Sequence, residues 1–283
     1  MLSAFLRLVL LILGGFILAQ LAAMLILFAS AGGVSSDAVS NLSPNTIKAV
    51  LLISHIFTFI LPCLLFIHLN YQDKKWQILR LSKGFELSTL LLCIGFIAVS
   101  YPAVTYSYTV NSWMPLADWM VSQEENTAAT LEKILKMDSL GVFFFNVFLI
   151  AIIPAIGEEV LFRGLVMDFI EKSSKNVHLA IWGSAIAFSL FHLQFQGFLP
   201  RLLLGALLGY SFYFSRSLWV PIILHFLNNA APIVALYFFG NDLAAINPAD
   251  STEIHWAAGL ASLLIGITVG FLIYKKTKSN EFT

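Results

Sequence analysis

The segment Glu158-Glu159-Val160-Leu161-Phe162-Arg163 sets two carboxylates and a guanidinium directly behind the apolar run at 143–156. Ionisable groups are costly in such surroundings, so they are a functional hypothesis by default. Glu159 and Arg163 are four apart and share a helical face, where an ion pair lets each offset the other's desolvation. Glu158 is turned by about 100 degrees from its neighbour on a helical wheel, which leaves it to address something else. A carboxylate in a low-dielectric pocket suits a general base or acid near neutral pH. Further along, His192 follows Phe188 by four residues. The phenyl ring can pack beside the imidazole and hold its rotamer while His192 helps Glu158 to orient a water molecule. His225 and Asn229 repeat that spacing, with Asn228 as a supporting neighbour. An imidazole N–H and a carboxamide NH2 on one face can both donate to a developing oxyanion. Together these types and spacings would suit attack of water on an amide bond, although His192 or His225 taken singly reads equally well as a hydrogen-bonded structural residue.

Helices in a bilayer must position these groups. Of the 283 residues, 59% are hydrophobic and 11% charged, and the mean hydropathy is +0.85, which places the chain with integral membrane proteins and away from soluble folds. About 20 apolar residues cross a hydrocarbon core of about 30 Å. Eight such runs are legible: 8–28, 49–69, 87–108, 140 to about 161, 178–196, 202–214, 219–239 and 256–274. The expected fold is all-α, a polytopic helical bundle of about eight transmembrane helices around a polar cavity, forming a single membrane domain over 1–283. With the N-terminus inside, Arg7, Lys74, Lys75, Arg80, Lys83, Lys172, Lys175, Arg216, Lys275, Lys276 and Lys278 fall on the inner side. Lys48, Lys133, Lys136 and Arg201 fall outside. This bias predicts that both termini are cytoplasmic.

The remaining features read more plainly. Zero net charge, with no basic cluster, argues against a nucleic-acid partner. Cys63 and Cys93 lie within predicted spans without metal-ligand spacing and read as buried thiols. The first span ends in Ala29-Ser30-Ala31, but its length exceeds a signal core, so an uncleaved anchor is expected. The stretch at 30–45 reads as an exposed outer loop. Within 109–139, Leu131, Ile134 and Leu135 share a face, as on a short surface helix or a lid. Gly205 and Gly209 form a small-xxx-small pair for close helix packing. His55, His68, His178 and His255 are expected to be structural or interfacial, His55 because no motif accompanies it.

Taken in order, E-E-x-x-x-R, F-x-x-x-H and H-x-x-x-N resemble the motifs of the CAAX protease and bacteriocin-processing family of intramembrane endopeptidases, also called the Abi family. The resemblance covers about a third of the chain and implies a catalytic core at 140–235. It implies that Glu158 and His192 activate water while His225 and Asn229 stabilise the oxyanion, agreeing with the roles read from spacing. The implied partners are the lipid bilayer and a membrane-associated peptide or protein substrate, in a bacterial inner membrane. The oligomeric state is not legible.

Two histidines and a glutamate also suit Zn2+, with Glu158, His192 and His225 as ligands. No H-E-x-x-H helix is present, however, and a cofactor-free, glutamate-dependent mechanism is expected. Neither the G-x-S-G motif of rhomboids nor a pair of intramembrane aspartates occurs. The competing functions are a proton-coupled transporter, which would show repeated halves and interrupted helices, and a non-catalytic bacteriocin-immunity or scaffold protein of the same fold.

Overall fold

A computed structural model describes residues 2–31, 42–71, 75–82, 84–240 and 254–279. Most of the loop expected at 30–45 lies outside the described residues, as do Lys74 and Lys83. Among the described residues the regular secondary structure is entirely helical. Its elements are α1 (Leu2–Ala31), α2 (Pro44–His55), π1 (Ile56–Ile60), α3 (Leu61–Tyr71), α4 (Lys75–Ile78), α5 (Leu87–Ser112), α6 (Asp118–Leu135), α7 (Leu140–Asn146), π2 (Val147–Ile152), α8 (Ile153–Glu159), π3 (Val160–Val166), α9 (Met167–Ser174), α10 (Val177–Phe191), α11 (Phe198–Ser215), α12 (Trp219–Phe239) and α13 (Trp256–Ser279).

Among the described residues, seven helical stretches are long and apolar enough to cross a membrane, and the fifteen-residue α10 is a shorter apolar helix. The expected all-α polytopic architecture of about eight helices therefore holds, and the chain is an integral membrane protein. Leu10, Leu13, Ile17, Leu21 and Leu25 of α1 are exposed, as suits lipid-facing positions.

Some boundaries differ from expectation for local reasons. The second span starts at Pro44 because Ser43 accepts from the Thr46 N–H at 3.1 Å and proline suits the first helical position. The fourth runs on to Ser174. Glu158, Glu159 and Arg163 interrupt the hydropathy but are buried, so they do not end the helix. The fifth stops at Phe191 rather than 196, since Leu193 adopts a left-handed conformation with φ 51°.

The chain divides into two compact units. The first comprises 1–75, 127–161 and 226–241. There α1 lies so close to π1 that a Cβ at Gly15 would overlap the Phe57 carbonyl. Phe143, Ala151, Ala230 and Ile233 form a buried apolar cluster. Pro154 lacks the N–H that would close an α-helical bond to Ile150, and Asn229 Nδ2 donates to that carbonyl at 3.3 Å.

The second unit comprises 76–126, 162–225 and 242–283. Leu90, Cys93, Leu204, Leu208, Val220 and Leu224 form one of its cores. Pro102 interrupts α5, and Ser262 of α13 repairs the ladder beside it: its hydroxyl accepts from the Ala103 N–H at 3.1 Å and donates to the Val99 carbonyl at 2.6 Å. Helices α10 and α11 pack closely through the small pair, because a Cβ at Gly205 would sit 3.2 Å from Ala185 and one at Gly209 2.9 Å from Ile181.

Candidate active site

Glu158 and Glu159 end α8 in the first unit, and both are buried, at 4% and 0% exposure. Two features bring Glu158 to a partner. Gly157 precedes it, and a Cβ there would lie 3.1 Å from Phe59 Cβ and 3.2 Å from Ile60 Cγ1, so the missing side chain permits close approach of α8 to π1. The π turn at 56–60 begins immediately after His55, and such turns recur at functional sites. The outcome is a contact of 3.1 Å between His55 Nε2 and Glu158 Oε1. The His55 ring also stacks on Phe59 with centroids 4.8 Å apart. His55 was expected to be structural, yet it is the described partner of the carboxylate to which spacing gives the leading chemical role.

Asn228 and Asn229 belong to the same unit. Asn228 Nδ2 donates to Asn229 Oδ1 at 3.1 Å while Asn229 donates to Ile150, which fixes the plane of the Asn229 amide. One of its two N–H groups thus serves the backbone freed at Pro154; an oxyanion role would fall to the other.

The second unit holds Arg163, Phe188, His192 and His225, and the Phe188 ring connects them. The Arg163 guanidinium lies 4.8 Å from its centroid. The His192 and His225 rings meet it edge-on at 4.9 and 5.8 Å. Phe162 packs against it at 5.3 Å. Arg163, only 1% exposed, donates from Nη2 to the Gly205 carbonyl at 2.8 Å. Residues 160–166 form a π turn, so an α-helical wheel does not fix which face Arg163 shares with Glu159. Ser184 donates to the Phe162 carbonyl within that turn at 2.7 Å.

His192 caps α10, and its Nδ1 lies 2.8 Å from the Phe188 carbonyl. A carbonyl only accepts, so the proton of the neutral ring sits on Nδ1 and Nε2 is left as the basic nitrogen. The turn after it is held by residues that the sequence did not single out. Asn111, 1% exposed, donates to the Phe195 carbonyl at 2.7 Å and accepts from the Leu199 N–H at 2.8 Å. Tyr108 donates to Gln196 Oε1 at 3.1 Å, and Glu124 accepts from the Gln196 N–H at 3.0 Å. Trp119 packs edge-on to Phe195 at 5.2 Å, and Arg201 bonds both the side chain and the carbonyl of Gln194. The segment at 109–139 thus begins as a brace for the His192 turn. Asn111 fell just past the expected third span, which ended at 108, and so gave no signal; the helix in fact runs to Ser112.

The zinc alternative can be set against this donor set. His55 and Glu158 would supply two ligands where a catalytic zinc takes three from the protein. Among the described residues no three His, Cys, Asp or Glu gather as metal ligands would. Among the described residues, the side chains around Glu158 do not complete a three-ligand zinc set.

Apolar helices that carry buried carboxylates in one unit and a buried guanidinium and imidazole in the other belong to a polytopic helical membrane protein. Residues 140–231, about a third of the chain, match the family described as Rce1-like, type II CAAX prenyl endopeptidase. That match supports the CAAX protease family to which the three motifs pointed, and with it a CAAX-type intramembrane endopeptidase. Neither the curated proteins nor the solved structures contain a match to the chain.

Proposed function

We propose that the chain hydrolyses a peptide bond in a membrane-associated peptide or protein, using water activated by Glu158 and His192 and an oxyanion site formed by His225 and Asn229. The observation that carries this reading is a buried carboxylate with an imidazole at 3.1 Å, in a segment that matches an endopeptidase family. As the water oxygen attacks the scissile carbonyl carbon, its proton passes to the Glu158 carboxylate. His192 Nε2, the basic nitrogen of its ring, accepts a hydrogen bond from the same water. The carbonyl oxygen, now an oxyanion, receives hydrogen bonds from His225 and from the second N–H of Asn229. Glu158 then returns the proton to the leaving nitrogen as the C–N bond breaks. Glu159 and Arg163 form the structural ion pair beneath this machinery, within a catalytic core at 140–235 of one membrane domain.

The family description makes a prenylated C-terminal segment the first substrate to try. The protein sits in a bacterial inner membrane with both termini in the cytoplasm. Zinc is the alternative to the cofactor-free mechanism: loss of proteolysis on chelation, restored by stoichiometric zinc in purified enzyme, would replace the glutamate-only account. The function is tested by mass spectrometry of membrane peptides from cells making the parent protein or Glu158→Gln. Products present only with the parent are expected; identical peptide sets would leave a non-catalytic scaffold.

A further inference from the structure

We infer that His55 is a positioning residue for the Glu158 carboxylate, although it lies outside the segment that carries the family match. The inference rests on the water-activating role proposed for Glu158. Four features of the contact between α8 and π1 carry it. His55 Nε2 and Glu158 Oε1 are 3.1 Å apart, with the carboxylate side chain 5% exposed and the imidazole 23%. Gly157 clears the space in which α8 meets π1. The π turn starts at the residue after His55, which sets the direction of the imidazole. The Phe59 ring, tilted only 25° from the imidazole plane, limits its rotation.

With Glu158 ionised, Nε2–H donates to Oε1, and a charge-assisted bond of this kind is about twice as strong as a neutral one. Tying one oxygen to a ring that is itself stacked fixes the carboxylate plane and so the direction in which the second oxygen presents its lone pairs. A glutamate has three side-chain torsions, and a general base must meet its proton donor at about 2.6–3.2 Å. The imidazole removes that freedom before substrate arrives. His55 therefore acts through Glu158 and does not touch the reacting atoms.

The test uses the full-length protein in liposomes with a peptide ending in a farnesylated cysteine and three further residues. His55→Phe keeps a ring to stack on Phe59 but has no N–H, whereas His55→Gln returns a donor. The expected result for His55→Phe is a kcat lower by about 10- to 100-fold, the size of loss known for outer partners that orient metal ligands. KM should stay within about twofold. His55→Gln should recover most of the loss. Independently of turnover, the His55 side-chain 15N signals, identified by their absence from His55→Gln, should shift in Glu158→Gln, a variant that needs no new packing. Unchanged 15N signals, or a His55→Phe enzyme with the parent kcat while Glu158→Gln is inactive, would overturn the assignment. Full activity of Glu158→Gln would instead withdraw the water-activating role and the purpose given to His55 with it.

Discussion

Arg163 carries a permanent charge at 1% exposure inside a membrane span, a placement that insertion scales put at about 2.5–3.5 kcal/mol. Its bond to the Gly205 carbonyl and its seat on Phe188 offset that cost. Arg163→Ala is expected to lower the yield of folded protein, because it strands the proposed Glu159 partner, and breaking a buried pair costs about 3–5 kcal/mol. A thermal unfolding midpoint equal to that of the parent in detergent would contradict this. Glu158→Gln, His192→Ala and His225→Ala belong to a different class. Each should abolish cleavage while the protein inserts and melts close to the parent, as followed by circular dichroism. Which ionisable residues the apolar helices bury was legible in part, since type and spacing single out Glu158, Glu159, Arg163 and His225, all of them buried. Their partners were not legible: His55 precedes Glu158 by 103 positions and Asn111 precedes Leu199 by 88, separations on which helical periodicity is silent.

Helix geometry, more than side-chain type, decides where these groups point. Glu158 meets His55 because α8 and π1 approach at a residue without a side chain. Gly157→Val should therefore push the two elements apart, with Cβ contacts already at 3.1 and 3.2 Å before the methyl groups are added. Helical content should be kept and cleavage lost; parent activity would show that the approach is not required. The brace around His192 makes a parallel prediction. Asn111→Leu leaves the half-buried Phe195 carbonyl and Leu199 N–H without this partner, at a cost below the about 1–3 kcal/mol of a fully buried group so stranded. Amide exchange over 192–199 should quicken and kcat should fall; unchanged exchange would remove Asn111 from this role. Hydropathy located the elements because a bilayer admits few alternatives to the helix. It misjudged the end of the fourth span, where buried charge looks like a loop. It gave no sign of the π turns at 56–60, 147–152 and 160–166.

At the scale of the whole molecule, 59% hydrophobic residues in 283 marked a membrane protein, and the apolar runs of about 20 residues marked its helices. Orientation rests on the distribution of Lys and Arg and is open to direct test. Cys63 and Cys93 are both 0% exposed, so a cysteine added at either terminus should be the main site for a membrane-impermeant maleimide. Labelling is expected only when the cytoplasmic face is open to the reagent; labelling from outside intact cells would reverse the proposed topology. The central claim is that this membrane protein splits peptide bonds with Glu158. It is tested most directly by reconstituting purified parent and Glu158→Gln proteins side by side in liposomes with the farnesylated peptide and following the released C-terminal fragment. Release by the parent and none by Glu158→Gln is the predicted result, whereas equal release by both would contradict the account.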